Sequence, residues 1–417
     1  MTTSTLSESA GSAGQLTGLS SSAAVGAVPF HVFLGAHSLL IGLLPFYLPV
    51  FLWRHGIGLD GLSVLIGMSG FTFALALRLW HKIGSECKPI TLVGYGFILE
   101  ILLIITSISA CMLMPDAKWG IWLVATGVGI TAGAYNAFFW TTQRVLFAAS
   151  LHGNDAGKRY GNFQIYVAVL LKGGIIAGGL LLDMNALPAL VILSGVIGAA
   201  TTFWLASKLP REPLLSKSPN PPLSSTDTAT PTRAVFLVDG VFLLLESHFW
   251  TLSLFLLFGE DIMRLGTLVV ALGIVFAILF WLSKNFVDRF AVRQVFCAAV
   301  VLYGLSWVLR SIIDDVGEGA ALGAMLVMIT FTTSFFRLAF NKRFFEHALA
   351  SGVVPYLLWK SRLSQYGIGV VFIGIAMGLI AGAGDPLLDL STTYVMAAVF
   401  ALVYLIYQTP RNAASGP

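Results

Sequence analysis

The sequence predicts an all-α membrane protein: twelve transmembrane helices in two pseudo-symmetric six-helix bundles. Three observations carry this. The 417 residues are 57% hydrophobic and only 11% charged, with a mean hydropathy of +0.86, more apolar than a soluble core requires. Apolar runs of about 20 residues, the length that crosses a bilayer, recur along the chain. Lys and Arg gather on one side of those runs.

Taken in order, residues 1–29 are rich in Ser, Thr, Gly and Ala and hold no Lys or Arg. They lack the basic region of a signal peptide and read as a disordered cytoplasmic tail. Six apolar runs follow at 30–53, 61–81, 89–114, 119–146, 160–182 and 188–206, an N-terminal bundle over 30–206. Residues 207–233 contain the one long hydrophilic connection, KLPREPLLSKSPNPPLSSTDTATPTR, a flexible cytoplasmic linker by composition. Six more runs, at 234–257, 265–286, 291–312, 320–341, 363–382 and 388–408, form a C-terminal bundle over 234–408. Residues 409–417 are a second short cytoplasmic tail.

Orientation follows from the basic residues. With the N-terminus inside, eighteen of the 24 Lys and Arg fall in inside loops or at inside helix ends. The outside keeps Arg54, Lys118 and Arg264, while Lys172, Arg310 and Arg337 fall within spans. That bias sets both termini in the cytoplasm. The halves also match at an offset near 203 residues. Val32–Leu34 pairs with Val235–Leu237, and Gly70, Phe73 and Ala74 pair with Gly273, Phe276 and Ala277. Gly174 and Gly178 pair with Gly378 and Gly382. A parallel repeat of this kind is an architecture of secondary transporters.

Two loops and one glycine run carry a family resemblance. NFVDRFAVRQ holds Asp288, Arg289 and Arg293 in the pattern of a Gly-Asp-Arg-Gly-Arg loop, with Ala291 in place of a Gly. LWHKIGSECK keeps Lys82 and Gly84 of the same pattern, with His81 where the acid stands. In this the chain resembles the major facilitator superfamily of secondary transporters. GIIAGG (Gly174–Gly179) is similar to a motif of the family's exporters, with Ile175 replacing its Pro. The resemblance implies that Asp288, Arg289, Arg293, Lys82 and Gly84 belong to a cytoplasmic gating loop. It also implies that spans 1, 4, 7 and 10 line a central cavity, which brings His37, Asn136, Trp140, Gln143, Asp239, Glu246 and Arg337 to it, with Lys172 in reach.

Charge at membrane depth points to the same place. At 1.5 Å per residue, Glu246 lies about 18 Å from the inner end of its span, Glu100 about 16 Å and Lys172 about 18 Å. Each unpaired charge at a span centre costs at least about 2.5–3.5 kcal/mol, so such residues face the bundle interior or one another. Asp239 and Glu246 are seven apart, on one helix face two turns apart, whereas His248 points away. Glu246 is the proton-coupling candidate, as carrier or as ion-pair partner, with Asp239 beside it at the inner rim. Lys172 and Arg337 either bind an anionic solute or balance the acids. Arg310 is expected to snorkel outward and Glu100 to be a packed or paired structural acid. Tyr135, Phe138, Phe139 and the glycines spaced by four read as packing, and Pro45 and Pro49 as a kink in the first span.

HExxH, Walker A, CxxC and GxSxG motifs are absent from the sequence, and the three cysteines form no close pair. No cofactor, metal or nucleic-acid partner is expected. The reading is a monomeric, non-enzymatic secondary transporter of the bacterial inner membrane, working by alternating access with protons and a small anionic solute. The alternatives are a proton-driven drug or metabolite exporter, a non-transporting membrane sensor, and a polytopic membrane enzyme.

Overall fold

The computed structural model describes residues 25–113, 117–150, 156–215, 229–287, 292–317, 319–381 and 386–407. They form α1 (Ala27–Arg54), α2 (Leu59–Glu86), α3 (Pro89–Met112), α4 (Lys118–Ser150), α5 (Ala156–Asp183) and α6 (Leu187–Ala206). After the connection come α7 (Thr230–Leu257), α8 (Ile262–Val287), α9 (Val292–Ser311), α10 (Ala320–Ser351), α11 (Val353–Ala381) and α12 (Pro386–Ile406). Eleven are long and apolar enough to cross a membrane; the apolar stretch of α8 is the shorter Ile262–Val275. This is an integral membrane protein, in which every backbone polar group within lipid needs an internal partner and a helix supplies it. Pro in the first turn starts α3, α6 and α7, where its missing N–H costs nothing.

The repeat is visible in the backbone. Both α1 and α7 end at a glycine with positive φ, Gly56 (91°) and Gly259 (73°), 203 residues apart. At each end the same bonds close the last turn. Ile57 N–H reaches the Leu52 carbonyl at 3.1 Å, and Glu260 N–H reaches Phe255 at 2.9 Å. These are six-to-one helix-ending bonds, and a left-handed residue is what they require. Both helices are also irregular midway. α1 breaks at Leu43, and Pro45 begins the next turn, as the expected kink requires. α7 winds into a π-turn over Leu245–Phe249, and its Glu246 is the 203-residue equivalent of Leu43.

Within the first half α1 packs on α5, α2 on α4, and α3 on α4 and α6. Within the second, α7 packs on α11, and α9 on α10 and α12. The halves meet where α2 lies along α11 and α5 along α8. Glycine allows the close approaches. A Cβ on Gly70 would lie 2.7 Å from the Gln365 carbonyl oxygen and 2.8 Å from the Gly369 nitrogen. Gly174 and Gly178 press on the Leu39 and Leu43 carbonyls of α1, and Gly129 and Gly133 on those of Leu65 and Ser69 in α2. The packing expectation fails for Gly374 and Gly378, which face open space. Gly382 lies outside the described residues.

Two boundaries differ from the sequence reading. α11 begins at Val353 and α10 runs on to Ser351, so Lys360 and Arg343 sit within helices rather than loops. The linker also begins docked. Leu214 and Leu215 are buried, and Leu215 N–H donates to the Gly84 carbonyl at 3.1 Å.

Candidate solute and proton site

The second half holds a connected ionic cluster in its interior. From α10, Arg337 reaches both acids of α7: Nη1 lies 2.8 Å from Asp239 Oδ1 and Nη2 3.1 Å from Glu246 Oε2. Its Nε also donates to Glu246 Oε2 at 3.1 Å. Asp239 takes two further partners. Lys360 of α11 pairs with Oδ2 at 2.6 Å, and the Tyr404 hydroxyl of α12 donates to Oδ1 at 2.9 Å. Glu246 Oε1 accepts the Tyr303 hydroxyl of α9. Tyr303 is fixed in turn by stacking on Phe336, ring centroids 4.0 Å apart.

The two acids are not equivalent. Asp239 is 1% exposed and Glu246 16%. Asp239 has three donors, two of them cationic; Glu246 has Arg337 and one phenol. A carboxylate so enclosed keeps its charge with its partners, since removing one side of a buried pair strands the other. Glu246 is the one with an accessible edge and replaceable contacts. The π-turn under it supplies the local irregularity; such turns are frequent at functional sites.

Arg310 adds a third cation. Its guanidinium donates to Ser306 and to Thr333 of α10, each at 2.8 Å. It also lies 4.3 Å from the Trp307 ring centroid and 5.0 Å from that of Trp250. The outward snorkelling expected from sequence is therefore wrong: the side chain is 3% exposed, held inward by hydroxyls and indole faces. In their ordinary ionised forms, Asp239 and Glu246 against Arg337, Lys360 and Arg310 leave one positive charge over.

The first half has a smaller, closed cluster. His37 Nδ1 lies 3.1 Å from Glu100 Oε2, with neither side chain accessible. The imidazole stacks on Phe97 at 4.4 Å and sits 3.7 Å from the Phe139 centroid. His37, expected in a solute cavity, thus touches no solvent in this conformation. Glu100 is paired, as the sequence reading allowed. His248 is bonded through Nδ1 to Ser247 Oγ at 2.9 Å.

The remaining candidates are dispersed. Lys172 Nζ donates to the Val269 carbonyl of α8 at 3.1 Å, across the contact between halves and not into the cluster. Trp140 Nε1 donates to Asn136 Oδ1 one turn back on α4, at 3.1 Å. Gln143 is buried on the same helix. Of the loop residues, Lys82 and Arg293 are exposed and Gly84 is buried, while Asp288 and Arg289 lie outside the described residues. Sequence reasoning missed Lys360, Tyr303 and Tyr404. Lys360 was counted in the inside loop before the eleventh span, and the tyrosines were counted as apolar. A phenol at the repeat position of Glu100 was the signal for Tyr303.

Helices that span a membrane, a backbone repeat and a charge cluster between them define a polytopic membrane protein with an internal ionic site. No family model matches the sequence, and no curated protein matches it. Solved structures do. The nucleoside transporter NupG superposes with a TM-score of 0.60, at 12% identity, covering 91% of this chain and 97% of that one. A structure described as of proton-dependent oligopeptide transporters gives 0.58 at 11% identity, covering 91% and 97%. A peptide transporter, POT, bound to sulfate gives 0.59 at 11%, covering 90% and 94%. The likeness is one of fold: the chain folds as these solved transporters do.

Proposed function

We propose that the chain is a secondary active transporter that moves a small solute bearing an anionic group, coupled to protons, by alternating access. In this reading twelve spans form two six-helix bundles in the bacterial inner membrane, with both termini cytoplasmic. The observation that carries it is the shared hold of Arg337 on a shielded Asp239 and a partly exposed Glu246.

The mechanism follows from that asymmetry. Protonation of Glu246 removes its charge, so Arg337 keeps Asp239 through Nη1 while its Nη2 and Nε lose their partner. A solute carboxylate or phosphate then takes those donors, drawn also by the extra positive charge of Arg310. Deprotonation of Glu246 restores the ion pair and expels the anion. Carboxylate and solute thus compete for one guanidinium, and the proton decides between them. Lys172, Asn136, Trp140 and Gln143 are the first-half residues proposed to meet the solute when the halves rock.

Movement has a built path. Along α1, Leu44–Arg54 packs against α7, and Arg54 Nη2 donates to the Glu260 carbonyl at 2.7 Å. In the proposed topology this is the outer end, and the bond helps to seal it. The helix break at Leu43 and the π-turn at Glu246 lie beneath that seal. Peptides, named for two of the similar structures, carry a carboxylate of the required kind. A proton-driven exporter would use the same site. It is favoured by Gly174 and Gly178, the exporter-like glycines, meeting α1 at its break.

The test is purified protein in liposomes with an internal pH dye, offered dipeptides, amino acids and dicarboxylates, with neutral nucleosides as comparison. Proton movement driven by an anionic solute supports the reading. Transport of nucleosides alone, or of anions with no proton movement, contradicts it. The direction in which a pH gradient drives accumulation separates uptake from export.

A further inference from the structure

The trio α1, α3 and α4 repeats in the first half what α7, α9 and α10 do in the second. Each trio closes on a polar cluster. In the second half these are Asp239 and Glu246 from α7, Tyr303 from α9 and Arg337 from α10. In the first they are His37 from α1, Glu100 from α3 and, beside Glu100, Tyr135 from α4. The registers agree: Glu100 and Tyr303 are 203 residues apart, and Tyr135 and Arg337 are 202 apart. The proton-coupled reading uses the second cluster and leaves the first without a role.

The first cluster is sealed. Phe33, Phe97 and Phe139 pack round the imidazole, and His37 and Glu100 have no accessible surface. Other charges stand away from it. Over Leu187–Ala206, α6 has no titratable side chain. On α2 the charged groups are Asp60 at one end and those from Arg78 to Glu86 at the other. On α5, Lys172 is bonded to Val269, and Tyr166 stacks edge-on against His31. No fixed cation among the described residues neutralises Glu100; only His37 can.

That geometry sets the proton count. With one shared proton the pair is neutral, as imidazole with carboxylic acid or imidazolium with carboxylate. Losing that proton, or gaining a second, leaves a single charge in a dry aromatic box, which is strongly unfavourable. A helix end or a surface loop does not need such a pair, and two apolar residues would fill the space more stably. His37 also sits six residues before the break in α1 at Leu43, where the helix is already irregular.

We propose that His37 and Glu100 form a second proton-binding site, in the first half, which holds one proton while closed and exchanges it when α1 opens. Its part in transport rests on the proton-coupled reading above; its titration does not. The test therefore needs no solute. Infrared spectra of the purified protein in liposomes are recorded between about pH 5 and pH 9, for the parent, Glu100→Gln, His37→Gln and the double variant. The expected result is one Glu100-dependent carboxyl signal, separate from that of Glu246, that titrates reversibly in the parent as α1 opens and closes, is lost in Glu100→Gln, and has a displaced midpoint in His37→Gln. The absence of any Glu100-dependent titrating signal overturns the proposal and leaves the pair as packing. Should a single variant misfold, the double variant, neutral at both positions, supplies the comparison for the parent's signal. If the signal titrates while no solute moves protons, the site stands and the transport reading fails.

Discussion

Arg337 holds the two acids of α7 at once, Asp239 at 2.8 Å and Glu246 at 3.1 Å, but only Asp239 is also tied to Lys360. The pairs therefore have different consequences when broken. Asp239→Asn strands Lys360 and half-strands Arg337 inside the bundle. The expected loss is about 3–5 kcal/mol, read as a clear fall in the unfolding temperature of the purified protein. Combining it with Lys360→Met removes the stranded cation, so the double variant is more stable than Asp239→Asn alone. Equal stability of Asp239→Asn and the parent would mean that the Lys360 pair is not formed.

Close approach of the halves depends on Gly70, where a Cβ would lie 2.7 Å from a carbonyl oxygen of α11. Gly70→Ala is expected to lower the unfolding temperature. Gly374→Ala, whose Cβ meets nothing within 4 Å, is expected to stay within about 0.5 kcal/mol of the parent or to gain up to about 1 kcal/mol from helix propensity. Thermal unfolding of the two variants side by side checks both expectations.

Arg54 bonds the Glu260 carbonyl and lies 5.5 Å from the Phe255 ring centroid. It ties the ends of α1 and α7 together. Arg54→Ala is expected to loosen that end and shift the population away from the conformation described. Spin labels placed on the ends of α1 and α7 would report a larger share of long distances than in the parent. An unchanged distance distribution would show that the apolar contact alone closes this end.

The helices were legible because lipid imposes a long apolar run on each, and Gly70 and Gly273 both fall at contacts between the halves, as their shared repeat position implies. Glu246, Asp239 and Arg337 were legible because a charge in such a run needs a partner. What composition cannot give is the partner's identity. Lys360 lies on α11, 121 residues from Asp239, and a helix start placed ten residues late hid it. His37 and Glu100 were assigned separate roles, because pairing across helices depends on rotation about each axis. The same limit applies to Lys172, whose depth suggested the central site but whose face turns toward α8.

The most direct measurement of the central claim compares the parent with Glu246→Gln in proteoliposomes, using whichever anionic solute the panel identifies. Two assays are run: accumulation driven by a pH gradient, and exchange of labelled for unlabelled solute without one. Glu246→Gln keeps Arg337 paired to Asp239 and mimics the protonated acid. The account predicts that exchange persists while proton-driven accumulation falls at least tenfold, about 1.4 kcal/mol of lost coupling. Glu246→Gln accumulating solute as the parent does, with the same dependence on pH, would contradict it.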